Sequence, residues 1–197
     1  MFLECSLFGN ELHSHSFDVS THLFNFFTAN FTAESGETRS KRERWLHWGV
    51  GLKLNSMLYF AYGSNLNHHQ MQERCEDCKY IKNTFLEGYK LSFCAVSRSY
   101  GVANVVKKSG SKVPGGLWEI SPEDEKVLDD YEGYPSLYTK EYFEHNGEKV
   151  LFYLIKRKFE YKRPLRRYVD TINEGYMNCD LDREYLRKRL IHYGIEL

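Results

Sequence analysis

Leu58-Tyr59-Phe60-Ala61-Tyr62-Gly63-Ser64-Asn65-Leu66 is the stretch on which the reading of this chain turns. Residues 58–62 form a short continuous apolar run that stops at a glycine, the pattern of a strand buried on both faces. The Gly-Ser-Asn that follows admits two readings. It is ordinary turn chemistry at the end of a strand. It is also a means of aiming consecutive backbone N–H groups at one point, with Ser64 and Asn65 adding side-chain donors, as in an anion or oxyanion nest.

Downstream, the signals continue in order. Asn67 is placed to cap a short helix through His68–Arg74. Phe85–Phe93 and Gly115–Ile120 read as strands. Ser121-Pro122-Glu123-Asp124 opens a helix with an oxygen-bearing cap, proline at the first position and acids in the first turn. Gly133 and Pro135 stop it near Glu132. Tyr138–Glu144 and Lys149–Ile155 alternate about Asn146-Gly147, the favoured two-residue hairpin turn. Pro164 opens a second helix reaching about Asn173, and Asp182–Tyr193 is a third, stopped by Gly194. In that last helix Tyr185, Leu186, Leu190 and Tyr193 have helical spacing and are expected to pack on the sheet. Strands in the middle and helices at the end predict an α+β fold, with a mixed or antiparallel sheet curled into a small barrel.

Upstream, residues 1–56 differ from the rest: they hold no proline, half of the eight histidines and no clean period. They read as an N-terminal extension of unassigned role, with Met57 a natural start, or else as a first layer of the fold. Residues 57–197, about 140, are enough for a core without staples. The chain has 197 residues and balances 27 basic against 27 acidic side chains. Zero formal charge argues against electrostatic capture of nucleic acid or an anionic membrane, and favours a small neutral or zwitterionic partner. Five cysteines at irregular spacing fit free thiols in a reducing compartment. No apolar run approaches membrane-spanning length, so a cytoplasmic location is expected. Cys75-x-x-Cys78 lacks a second ligand pair at finger spacing, and His68 and His69 point apart on a helix, so no metal is expected. The basic run Lys156–Arg167 reads as a solvated face.

A second motif carries chemistry: Leu128-Asp129-Asp130-Tyr131-Glu132-Gly133-Tyr134-Pro135. Glu132 falls in the last turn of its helix, near the negative end of the dipole, with tyrosines close by. Desolvation there would raise its pKa towards neutrality, as a proton-transfer catalyst needs. A solvated helix-end acid is the plainer alternative.

Taken together, YFAYGSNL, then Met71 and Arg74-Cys75, Gly88-Tyr89-Lys90-Leu91, Gly115-Gly116-Leu117-Trp118-Glu119-Ile120-Ser121 and LDDYEGYP with Tyr138 closely resemble the γ-glutamylcyclotransferase family over residues 58–197. The resemblance implies that Tyr59, Phe60, Ala61, Tyr62, Gly63, Ser64 and Asn65 form the rim that holds a glutamyl head group. It implies Glu132 as general acid/base and Tyr168 as a pocket-lining residue, with Tyr138 and Tyr153 near the carboxylate. The implied reaction releases 5-oxoproline and a free amine or amino acid from a γ-glutamyl substrate, without cofactor, in a monomer or homodimer. A γ-glutamylamine cyclotransferase, a γ-glutamyl deprotecting enzyme and a non-catalytic γ-glutamyl-binding module are the alternatives.

Overall fold

The computed structural model describes residues 56–95, 100–156 and 160–197. The readings made on residues 1–55 lie outside the described residues. Five strands and four helices follow in the order β1 (Met57–Ala61), α1 (His68–Arg74), β2 (Lys79–Ala95), β3 (Gly101–Ile120), α2 (Pro122–Glu132), β4 (Thr139–His145), β5 (Glu148–Leu154), α3 (Arg166–Asn178) and α4 (Arg183–Ile191), with a 3-10 turn at Ser64–Leu66 after β1.

The strands form one mixed sheet in the order β2-β3-β1-β5-β4. β1 is the middle strand, antiparallel to β3 and parallel to β5. That position explains its unbroken apolar run: Phe60 and Ala61 have no exposed surface. The expected α+β class and mixed sheet are present, but the sheet is curled without being closed into a barrel. β2 and β4 end the strand order, and Thr84 Oγ1 and His145 Nδ1, 3.4 Å apart, join them through side chains. Closure would need a backbone ladder there.

The curl has a local cause. Glu87 pairs with Lys112 but Tyr89 pairs with Lys107, so β3 carries extra residues opposite Gly88. Gly88 and Gly110 both take positive φ at this irregularity, and such bulges bend and twist a ribbon. The polar stretch Lys107–Lys112 looks like a loop in sequence, which is why the hairpin reads there as two short strands. In the structure β2 and β3 run 17 and 20 residues.

Helix α2 forms as its sequence dictates. Ser121 Oγ accepts from the Asp124 amide, Asp124 Oδ2 accepts from the Ser121 amide, and Gly133 closes the helix in the left-handed region at φ 64°. Ser121→Ala is expected to cost about 1 kcal/mol of stability, read by urea denaturation. Two-residue turn chemistry places Asn146 and Gly147 at φ 54° and 81°, giving the β4–β5 hairpin. α3 runs five residues beyond its expected end near Asn173. Gly175 is no stop: it is buried inside the helix, where a Cβ would stand 2.5 Å from Leu66 Cβ and 2.7 Å from the Asn67 amide nitrogen. The bare glycine lets α3 lie against the turn that follows β1. In α4, Leu186 and Leu190 are fully buried. Tyr185 and Tyr193, on and just after that helix, accept from the Leu91 and Phe93 amides of β2. No helix among the described residues is long and apolar enough to cross a membrane.

Candidate active site

The turn after β1 and the end of α2 meet. Asn65 Nδ2 donates to Glu132 Oε1 at 3.1 Å and to the Tyr59 hydroxyl at 2.8 Å. Ser64 Oγ lies 3.4 Å from the Tyr131 hydroxyl. The turn is a single 3-10 winding, closed by Leu66 N→Gly63 O at 3.1 Å and Asn67 N→Ser64 O at 3.0 Å. Its leading amides, those of Ser64 and Asn65, have no partner within that winding. Ser64, Asn65 and Asn67 are all buried, and Asn67 caps α1 by accepting from the Gln70 amide at 3.0 Å.

Gly63 adopts φ −115°, not the positive φ that its place in a turn suggests. Its requirement is closeness. A Cβ there would lie 3.2 Å from Ala103 Cβ and 3.6 Å from the Tyr168 hydroxyl. Ala103, on β3, in turn fixes two tyrosines: its amide donates to the Tyr168 hydroxyl at 3.2 Å and its carbonyl accepts from Tyr138 at 2.7 Å. Tyr62 donates to the Tyr153 carbonyl at 2.7 Å. The Tyr153 hydroxyl donates to Asp129 Oδ1 at 2.6 Å, and Lys140 Nζ bridges Asp129 and Glu125 at 2.7 and 2.6 Å. That network pins α2, and with it Glu132, against β4 and β5.

Glu132 retains some exposed surface as a residue, yet its carboxyl is deeply enclosed. Burial pushes its pKa up to about 7, against smaller opposing effects from the Arg74 charge and the Asn65 hydrogen bond. Tyr59, Tyr62, Tyr131, Tyr138, Tyr153 and Tyr168 all feel its charge, and burial, the larger cause in each, keeps these phenols neutral. They can therefore donate hydrogen bonds at neutral pH. Among the described residues, Oε1 of Glu132 is held by Asn65, and no protein donor is seen on Oε2.

Of the residues singled out from sequence, Tyr59, Tyr62, Gly63, Ser64, Asn65, Glu132, Tyr138, Tyr153 and Tyr168 are thus brought into one cluster. Phe60 and Ala61 give it no side-chain hydrogen bond. Phe60 packs edge-on to Phe143 with centroids 5.6 Å apart, and its ring lies 6.4 Å from that of Tyr62. Ala61 is enclosed beside its β3 partner Gly116. Two members were given no role from the sequence, although Arg74 stands in the motif series. Arg74 donates through Nη1 to Asn65 Oδ1 and lies 3.7 Å over the Tyr131 ring. Its signal was a basic residue at the end of the helix that follows the turn. Ala103 left none.

The thiols of Cys75 and Cys78 are pushed up to about 12, chiefly by burial, so neither is a ready thiolate. His68 packs on Tyr80 and Trp118 while His69 pairs with Glu73, so the two imidazoles diverge.

Residues 59–172, more than half of the chain, match the family described as gamma-glutamyl cyclotransferase, AIG2-like. Human gamma-glutamylcyclotransferase is 26% identical over 144 residues, covering 68% of this chain and 77% of the human one. A solved gamma-glutamyl cyclotransferase superimposes with TM-score 0.59 at 25% identity, over 68% of this chain and 86% of its own. An uncharacterized protein from Homo sapiens gives TM-score 0.58 at 27% identity, over 68% and 85%. With a family model matched across residues 59–172 and a fold shared with a solved member, the chain belongs to the gamma-glutamyl cyclotransferase, AIG2-like family.

Proposed function

We propose that residues 57–197 form a γ-glutamylcyclotransferase that releases 5-oxoproline and a free amine or amino acid from a γ-glutamyl substrate, with Glu132 as its proton carrier. The observation that supports this best is the desolvated Glu132 carboxyl, with a pKa of about 7, held by Asn65 of the Gly-Ser-Asn turn.

The substrate's α-amine and γ-carbonyl are already tethered, so the protein's main task is to fix the reactive conformer. The α-ammonium gives a proton to the Glu132 carboxylate. The amine nitrogen attacks the γ-carbonyl carbon, a five-membered ring closes, and the carbonyl oxygen takes negative charge. In this reading the leading amides of the Gly63–Asn65 turn meet that charge. The amide C–N bond then breaks, and the proton on Glu132 passes to the leaving nitrogen. The ring nitrogen still carries an extra proton, which it gives up through the same carboxyl, so the lactam leaves neutral and the amine leaves as its ammonium. One carboxyl serves each transfer, no water is consumed and no cofactor is called for. Free γ-glutamyl metabolites of the cytoplasm are the substrates this reading favours.

Purified protein would be offered a panel of γ-glutamyl amino acids, peptides and amines, with 5-oxoproline as the readout and Glu132→Gln as the control. Release from one class and not another names the leaving group. Binding without release, in the unmodified protein, would replace the enzyme by a γ-glutamyl-binding module. Gly63→Val is expected to raise KM and lower kcat together, on the order of 10-fold, because its side chain would push the turn off Ala103 and Tyr168. Steady-state kinetics on the best substrate checks this.

A further inference from the structure

Asn65 touches Glu132 and Tyr59 through an amide that can be turned over, exchanging two N–H donors for an acceptor oxygen. Turned over, it would set Oδ1 against Glu132 Oε1 and repel the carboxylate. Arg74 decides the orientation, because a guanidinium only donates. Its Nη1 donates to Asn65 Oδ1, its Nη2 donates to Gln70 Oε1 at 3.0 Å, and its plane is laid over the Tyr131 ring at 3.7 Å. With Oδ1 committed to Arg74, both N–H groups of Nδ2 must face Tyr59 and Glu132, as they do at 2.8 and 3.1 Å.

We propose that Arg74 is a positioning residue of the reaction, which locks the Asn65 amide so that Oε1 of Glu132 is held and Oε2 is left for the substrate's nitrogens. This rests on Glu132 being the proton carrier. The groups facing that carboxyl are Arg74 from α1, Tyr59 and Tyr62 from β1 and its end, Tyr131 from its own helix, Tyr138 ahead of β4, Tyr153 from β5 and Tyr168 from α3. The phenols stay neutral, so Arg74 is the charged member of this set. Its loss acts twice in one direction. The carboxylate loses a nearby positive charge, and Asn65 becomes free to present Oδ1, to which only a protonated carboxyl can donate.

The test follows the Glu132 carboxyl by carbon NMR of glutamate-labelled full-length protein, its signal assigned by its absence in Glu132→Gln. Arg74→Met is expected to raise the titration midpoint by about one pH unit or more, and Arg74→Lys by less than half as much. The plateau kcat of Arg74→Met, taken above its new midpoint, is expected to stay on the order of 10²-fold low. The same substitution made in Asn65→Leu protein should add little further loss. In the unmodified protein, which carries no folding risk, the Asn65 side-chain amide nitrogen should shift with the Glu132 midpoint. An unmoved midpoint in Arg74→Met, an Asn65 signal blind to the titration, or losses that multiply in the double variant would overturn the assignment. If the unmodified protein releases no 5-oxoproline, the functional reading fails, while the two NMR arms still decide the role of Arg74.

Discussion

Glu132→Gln is expected to lower kcat by about 10²–10⁴-fold while leaving the protein folded and still able to bind its substrate. The glutamine keeps an oxygen for the Asn65 amide to donate to, so the 3.1 Å contact survives, but it cannot take the ammonium proton. In the unmodified enzyme, activity should climb with pH along an acid limb centred near 7, where the carboxyl ionises, and that limb should vanish from the residual rate of the variant. The same substitution should make the protein more stable in alkali. Glu132 has a folded pKa raised from 4.5 to about 7. Its contribution to stability is therefore full below about pH 4.5 and is lost as pH rises through 7, because the folded state then holds a buried charge that the unfolded chain exposes to water. Relative to the wild type, the variant should gain about 1–3 kcal/mol at about pH 8 and nothing near pH 4, by urea denaturation at the two pH values. A gain in stability joined to a loss of rate is the mark of a group retained for chemistry.

The second large effect is expected away from the carboxyl, at Gly175→Ala. An alanine would normally strengthen a helix interior by about 1 kcal/mol. Here its methyl would meet Leu66 Cβ at 2.5 Å and the backbone nitrogen of Asn67 at 2.7 Å. No rotamer relieves a clash with backbone, so α3 or the turn must shift. We expect a net loss of about 1–3 kcal/mol in denaturation. We also expect turnover to fall by up to about 10²-fold, because the displaced segment carries Asn65. A variant that was more stable and fully active would show that α3 does not hold the turn in place.

How much of this could be read beforehand depended on whether the cause was local. The buried strand at Leu58–Tyr62, the capping box at Ser121 and the Asn146-Gly147 turn each carry their reason within a few residues, and each formed as expected. The two motifs that supply the cluster were also visible, because turn chemistry and a helix stop leave strong marks. What stayed hidden was set by partners distant in sequence. Lys107–Lys112 holds the extra residues of the irregularity opposite Gly88, yet it reads as loop. The helix from Pro164 reads as ending near Asn173 because nothing nearby says that residues 66 and 67 will lie against Gly175. Gly63 is needed for its closeness to Ala103, forty residues on, and not for its φ. Arg74 gained its role from Asn65 and Tyr131 together, a three-element meeting that no single stretch records. The barrel expected from strands in the middle of the chain and helices at its end stops short of closure because β2 and β4 remain the two ends of the strand order.

Turnover of a γ-glutamyl substrate in water enriched with oxygen-18 separates ring closure from hydrolysis in a single mass spectrum. If Glu132 ferries a proton while the substrate's own amine attacks, the early product will be 5-oxoproline of ordinary mass, with the isotope absent from it. Glutamate bearing one heavy oxygen would mean that water is the nucleophile, and would contradict the account.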